Sequence, residues 1–157
     1  MNKKGILLAL VTASIMLFAV PSIAVMPAHA LCGVGNGSDS WTSGSGATIT
    51  VTDTACPGTN PRHTTTCSAG TNIVVDSGNA ELSAYDYVLP NTGLRYDNTY
   101  SIGCPSSFSK TFGPFSGDAV PNCAYTEYTL SVHDSVTGET HLLDAFAYGQ
   151  TTGNCPI

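Results

Sequence analysis

From residue 47 onward, apolar positions alternate with threonine, serine and tyrosine rather than recurring every three or four residues. In "ATITVT" Ile49 and Val51 are separated by threonines, and "NIVVD" is a short continuous apolar run. "AELSAYDYVL" puts Ala80, Leu82, Ala84 and Val88 on one face and Glu81, Ser83, Tyr85 and Tyr87 on the other. "LRYDNTYSI", "YTEYTLSVH" and "THLLDAFAY" complete the set, separated by Gly, Pro, Asn and Asp. A period of two predicts half-buried strands, and no segment after Ala30 sustains a helical period. About six to eight short strands in one domain predict an all-β, disulfide-stapled β-sandwich of immunoglobulin-like type, with a small β-barrel as the alternative.

The clearest local signal is "HDSVTGETH". Val136-Thr137-Gly138 suits a three-residue hairpin loop with Gly138 in the left-handed conformation. That register sets His133 opposite His141, Val132 opposite Leu142 and Tyr128 opposite Phe146. It also leaves Leu130 against Asp144, a mismatch on a face meant for the core. Two histidines facing each other across a ladder, with Cβ atoms roughly 5 Å apart, can share a metal ion or form a pH-sensitive pair. His133 and His141 are therefore the candidate metal ligands, with Asp134 and Glu139 nearby. The competing reading is two solvated histidines on a polar face.

The N-terminus sets the compartment. "MNKKGILLALVTASIMLFAV" joins two lysines to an uncharged apolar run, and Pro21, Pro27 and Ala28-His29-Ala30 follow. This is the anatomy of a secretory signal peptide over residues 1–30. The run from Ile6 to Val20 is shorter than the roughly 20 residues a spanning helix requires. Cleavage after Ala30 leaves 127 of the 157 residues: a Gly/Ser-rich segment at 31–47, then the sandwich domain at 48–157. Cleavage after Gly5 is the alternative, since Lys-Lys-Gly before an apolar stretch is similar to a type IV pilin leader. The prolines and the Gly/Ser-rich segment would interrupt the assembly helix of such a subunit.

Loss of Lys3 and Lys4 leaves three basic side chains against eleven carboxylates, taking the net charge from −6 to −8. A chain this acidic is repelled by phosphate backbones and anionic lipid, so nucleic-acid partners and membrane insertion of the mature chain are not expected. Charged residues make up only 10% of the chain, so solubility rests on Thr, Ser, Asn and Gly.

All six cysteines follow residue 30: Cys32, Cys56, Cys67, Cys104, Cys123 and Cys155. An even number in a short exported chain reads as a disulfide framework. Zinc sites favour close pairs such as C-x-x-C, which are absent, so "CPGTNPRHTTTC" is expected to be a closed loop in which His63 is a bystander. Two segments share the plan strand, Cys-Pro, loop, Cys, strand. The simplest bridges on that plan are Cys56–Cys67 and Cys104–Cys123, with Cys32–Cys155 joining the ends or Cys32 bonding a second subunit.

Sequence motifs for catalysis are missing. The chain has no G-x-S-x-G, H-E-x-x-H, P-loop or EF-hand pattern, so no catalytic residue and no cofactor is assigned. The segment most suggestive of binding is "CPSSFSKTFGPFSGDAVPNC", where Phe108, Phe112 and Phe115 stand among small residues. Displayed on an anchored loop, they would form a contact surface. Folded back, they would cap an open end of the sandwich, as Trp41 could elsewhere. Asn36-Gly37-Ser38 is the one usable N-glycosylation sequon after residue 30.

No family resemblance goes beyond generic immunoglobulin-like sandwiches and the pilin-like leader. The expectation is a secreted or cell-surface, non-enzymatic structural or binding protein whose partner is a protein or cell-surface polymer, self-assembly included. A small secreted hydrolase or inhibitor is the alternative. A hydrolase requires the fold to bring two carboxylates, or a carboxylate and a histidine, into one cleft.

Overall fold

A computed structural model describes residues 31–34, 37–88, 91–151 and 155. The leader and the sequon asparagine fall outside these residues. Among the described residues, nine strands form two antiparallel sheets packed face to face: β1 Leu31–Val34, β2 Ser38–Thr42, β3 Thr48–Cys56, β4 Arg62–Ala69, β5 Ile73–Val88, β6 Asn91–Ser101, β7 Ser106–Thr111, β8 Cys123–Asp134 and β9 Thr140–Gln150. One sheet runs β1-β9-β8-β5-β6 and the other β2-β3-β4-β7, an open sandwich rather than a barrel. In the first sheet, β9-β8-β5-β6 follows the immunoglobulin-like order.

Alternation places Ile49, Val51, Leu82, Tyr128, Leu130, Val132 and Leu143 between the sheets, fully buried. Toward the opposite end the layer thins to four alanines, Ala55, Ala84, Ala124 and Ala147. The Gly/Ser-rich segment contributes to the fold, because β1 pairs with β9 and β2 pairs with β3. The two runs "NIVVD" and "AELSAYDYVL" are one strand, β5, with a bulge at Asp76 between Val75 and Ser77.

The β8–β9 hairpin forms, but one residue out of the expected register. Asp134 N–H donates to Glu139 O at 2.8 Å and Gly138 N–H to Asp134 O at 2.8 Å, so the loop has four residues, Ser135 to Gly138. Gly138 takes the left-handed φ of 74°. Val132 now faces His141 and Leu130 faces Leu143. A one-residue slip exchanges the two faces of a strand. Here it moves Leu143, Ala145 and Ala147 inward and Asp144 and Phe146 outward, which removes the Leu130–Asp144 mismatch.

What selects the longer loop is Asp134, which is buried. Its Oδ1 accepts from the amides of Val136 (2.7 Å) and Thr137 (3.2 Å), and its Oδ2 accepts from the hydroxyls of Ser43 and Ser45. The two serines, ahead of the backbone amides, hold this carboxyl well below the usual range. Glu139 accepts from Gly44 N–H at 2.5 Å, so the hairpin tip is clamped to the β2–β3 turn.

The bridges are Cys32–Cys56, Cys67–Cys104 and Cys123–Cys155, not the three expected pairs. The physical reason is β4. Residues 62–69 form a strand paired with β3, in which Cys56 lies opposite Arg62 and Cys67 opposite Val51. The two cysteines are therefore five positions apart along the ladder, about 17 Å at strand rise, and cannot meet. Cys67 instead ties β4 to the chain leaving β6, Cys32 links the two sheets through β1 and β3, and Cys123 holds the C-terminal segment. Cys32 bonds within the chain. The closed loops span 24, 37 and 32 residues, and each contributes about 3.5–4 kcal/mol in the chain-entropy treatment.

Gly78 marks where β6 leaves the sheet. A Cβ there would lie 2.1 Å from the Ile102 carbonyl oxygen and 2.5 Å from a Leu130 methyl, whereas one at Gly103 would meet nothing within 4 Å. Gly78→Ala should destabilise the fold by at least about 2 kcal/mol in denaturant titration, as overpacking does, while Gly103→Ala should be near neutral. Equal midpoints for the two variants would contradict this reading of the crossing.

Candidate functional site

The predicted site residues are dispersed by the fold. His133 lies on the outer face of the five-stranded sheet, its Nδ1 2.8 Å from Asp76 Oδ1 at the β5 bulge. His141 lies opposite Val132 on the other face, stacked on Trp41 with ring centroids 5.1 Å apart and planes 11° apart. Two residues on opposite faces of one sheet cannot share an ion. Among the described residues, no three His, Cys, Asp or Glu side chains are grouped as metal ligands. Trp41 and His141 bridge the sheets where β2 runs beside β9.

His63 is neither a ligand nor a loop bystander. It is fully buried on β4, with Nδ1 2.7 Å from Thr126 Oγ1 and Nε2 2.5 Å from Tyr96 OH. Thr126 also donates to Thr54 O at 3.4 Å. The pattern is satisfied when Nδ1–H donates to Thr126 and Nε2 accepts from Tyr96. Burial pushes the imidazole down to about 4 and the Tyr96 phenol up.

Diagonally across the β3–β4 ladder stands Asp53, 6% exposed and opposite Thr65. Neither carboxylate oxygen closes a hydrogen bond of regular geometry. Burial, reinforced by Asp144 and Glu127, pushes Asp53 up to about 7 against the smaller downward pull of Thr65 and the Tyr128 backbone. This cluster is sealed inside the sandwich, so it bears on stability rather than on contact with a partner.

The three phenylalanines are half-buried. Phe108 sits on β7 against Tyr100 (5.2 Å), and Phe112 stacks on Tyr96 (3.9 Å) and stands nearly perpendicular to the His63 ring (5.9 Å). Phe115 also lies over Tyr96, at 6.2 Å. Phe108 and Phe112 pack against the main core. The loop is not closed at its base by a disulfide; its first half is an edge strand of the four-stranded sheet.

The face that gathers polar chemistry is the outer side of the five-stranded sheet. Register across β6, β5, β8 and β9 places Thr99, Glu81, Glu127 and Phe146 in one row. The next row holds Asp97, Ser83, Tyr125 and Tyr148, and the row on the other side holds Ser101, Asn79, Thr129 and Asp144. No lysine or arginine stands in these rows. Glu81 and Glu127 are directly opposed, and like charges in that position destabilise a ladder. They flank a shallow groove of about 150 Å³ together with Asn79, Thr99 and Thr129.

The electrostatics follow from this crowding. Partial desolvation, then Asp97 and Glu127, raises the Glu81 carboxyl. Partial desolvation, then Glu127 and Asp39, raises Asp144. Tyr125 donates to Glu127 Oε2 at 2.9 Å, and burial followed by this carboxylate raises its phenol. Asp39 of β2 accepts from the Asp144 amide at 3.0 Å and so caps part of the open edge of β9. Single-strand alternation already pointed Glu81, Ser83 and Tyr85 outward; the rows needed the β8–β9 register.

Comparison with known proteins finds no matching family model, no matching curated protein and no matching solved structure. The class defined by the fold and bridges is a disulfide-stapled β-sandwich of the kind that persists in an oxidising, extracellular environment. No helix among the described residues is long and apolar enough to cross a membrane.

Proposed function

We propose that the protein is exported by its N-terminal signal peptide and acts outside the cell without catalysis. In this reading it is a cell-surface or extracellular binding protein that uses the outer face of the five-stranded sheet. Its partner is a positively charged protein segment or cell-surface polymer. The observation that carries this is the row arrangement: Glu81, Asp97, Glu127 and Asp144 interleaved with Tyr125, Tyr148 and Phe146, with no basic side chain among them. Carboxylates supply attraction, and tyrosines supply flat amphipathic contact area at low entropic cost. A cation between Glu81 and Glu127 would relieve their mutual repulsion.

Retention on chitosan and polylysine matrices tests this. The wild-type protein should be held at low salt and released as ionic strength rises. Glu81→Gln/Glu127→Gln should weaken retention by about tenfold or more, and Tyr125→Ala/Tyr148→Ala should also weaken it. Variants with unchanged circular dichroism and undiminished retention would refute the assignment.

One observation favours a second reading, hydrolysis. Two carboxylates face each other on one groove, and the raised carboxyl of Glu81 is suited to donating a proton. Cleavage of a soluble polysaccharide by the wild-type protein but not by Glu127→Gln would establish that reading in place of the first.

A further inference from the structure

A second contact site, separate from the acidic face, lies where β6 stops short of the end of β5. β6 pairs with β5 from Asn79 onward, and at Gly78 the chain turns away, with Ile102 N–H donating to Gly78 O at 3.0 Å. The Cys67–Cys104 bridge then ties this exit to the other sheet. Among the described residues, Ile73–Ser77 is therefore paired with β8 on one side and with no strand on the other.

The direction of the unpaired groups follows from the ladder. Ser135 N–H donates to Asn72 O at 2.9 Å in the same register that pairs Val75 with Val132. Hydrogen-bonded and non-hydrogen-bonded pairs alternate in an antiparallel ladder. The N–H and C=O of Val75 and the C=O of Ile73 consequently point away from β8. Ile73 N–H is occupied, donating to Gly70 O at 3.1 Å. Beside this edge runs a solvent-open groove of about 510 Å³, lined in part by Ile73, Val75, Ile102 and Cys104. Asp76 is the one charged residue lining it.

We propose that this edge binds an extended peptide segment of another protein as an added strand continuing the line of β6. Main-chain donors and acceptors set at strand spacing are matched by another strand and not by a sugar or a helix. Inward residues of the segment would fill the groove against Ile73, Val75 and Ile102. The Asp76 carboxylate and the molecule's negative charge select an uncharged or basic segment. The required chemistry is a stretch of about five residues with apolar side chains at alternate positions.

The probe is the peptide Lys-Val-Thr-Val-Thr-Val-Lys, titrated into the disulfide-intact protein and followed by amide NMR and hydrogen exchange. At an ionic strength that screens the acidic face, shifts should be confined to 73–77 and 101–104, and the Val75 amide should gain protection. The same peptide N-methylated at alternate residues should bind about tenfold more weakly, because it has lost the donors. Val75→Pro should abolish binding while leaving the spectrum elsewhere intact; if that variant does not fold, the N-methylated probe decides the question alone. Equal binding of the two peptides would overturn the proposal, as would shifts confined to Glu81 and Glu127. So would a Val75 amide already protected in a concentration-dependent dimer, which would make a second copy the occupant.

Discussion

Reduction of the three disulfides should unfold this protein at room temperature without added denaturant. Closed loops of 24, 37 and 32 residues together account for about 11 kcal/mol by restriction of the unfolded chain. A whole domain of this size is stable by only about 5–15 kcal/mol. The dependence is sharpened by the interior, which toward one end consists of four alanines, so burial there gives little in return for ordering the chain. Far-ultraviolet circular dichroism with and without phosphine should show the loss of strand signal. The paired variant Cys67→Ala/Cys104→Ala, which removes the bridge with the longest loop, should lower Tm by roughly 10–20 °C. A reduced chain that melts at the same temperature as the oxidised one would show that the core is sufficient alone.

The second large effect concerns the two ionisable groups inside the sandwich. Asp53 is raised from 3.8 to about 7. Its proton is held in the folded state and released in the unfolded state between those values, so stability falls as pH rises from about 4 to 7. The full loss, on the order of 4 kcal/mol, is reached above pH 7. His63 is lowered from 6.5 to about 4. The unfolded chain takes up a proton that the folded interior refuses, so stability falls as pH drops from 6.5 to 4, by about 3 kcal/mol in all.

Across pH 4 to 6.5 the two slopes are opposite in sign and equal, so together they leave stability nearly level. Asp53→Asn removes one of them. The variant should be more stable than wild type at pH 8, by less than 4 kcal/mol because the buried amide also lacks partners. Between pH 6.5 and 4 it should lose stability by about 3 kcal/mol where the wild type stays level. Urea titrations at four pH values read both quantities. A variant whose pH profile is as flat as the wild type's would show that His63 is not held neutral by burial.

The strands that could be read from the chain were those whose alternation is carried by aliphatic or aromatic residues: β3 through Ile49 and Val51, β5 through Ala80, Leu82 and Ala84, β6 through Tyr96 and Tyr100, β8 through Leu130 and Val132, and β9 through the apolar residues of "THLLDAFAY". β4 was hidden because its inward positions are His63, Thr65 and Cys67, which look polar or covalent rather than apolar. β2 and β7 were hidden for a related reason. They are edge strands rich in serine, with only Trp41 and Phe108 to mark the buried side.

Missing β4 also produced the wrong bridges. Two cysteines flanking an apparent loop look like neighbours, whereas the same two cysteines on the two strands of a ladder stand five positions apart. The acidic face was half legible. Glu81 and Ser83 could each be placed outward from alternation within a strand, but their assembly into rows with Tyr125 and Glu127 depends on pairings between segments far apart in sequence.

By itself the chain determined its fold class and its covalent character. A two-residue period leaves one way to bury apolar side chains, and an even set of six cysteines without a C-x-x-C pair points to disulfides rather than a metal site. Tertiary structure alone decided which cysteines meet, that His63 and Asp53 lie inside, and that His133 and His141 part to opposite faces. Each of these turns on register. Whether the hairpin loop holds three residues or four is settled by Asp134 clamping onto Ser43 and Ser45, a contact between positions 89 and 91 residues apart that no local pattern encodes.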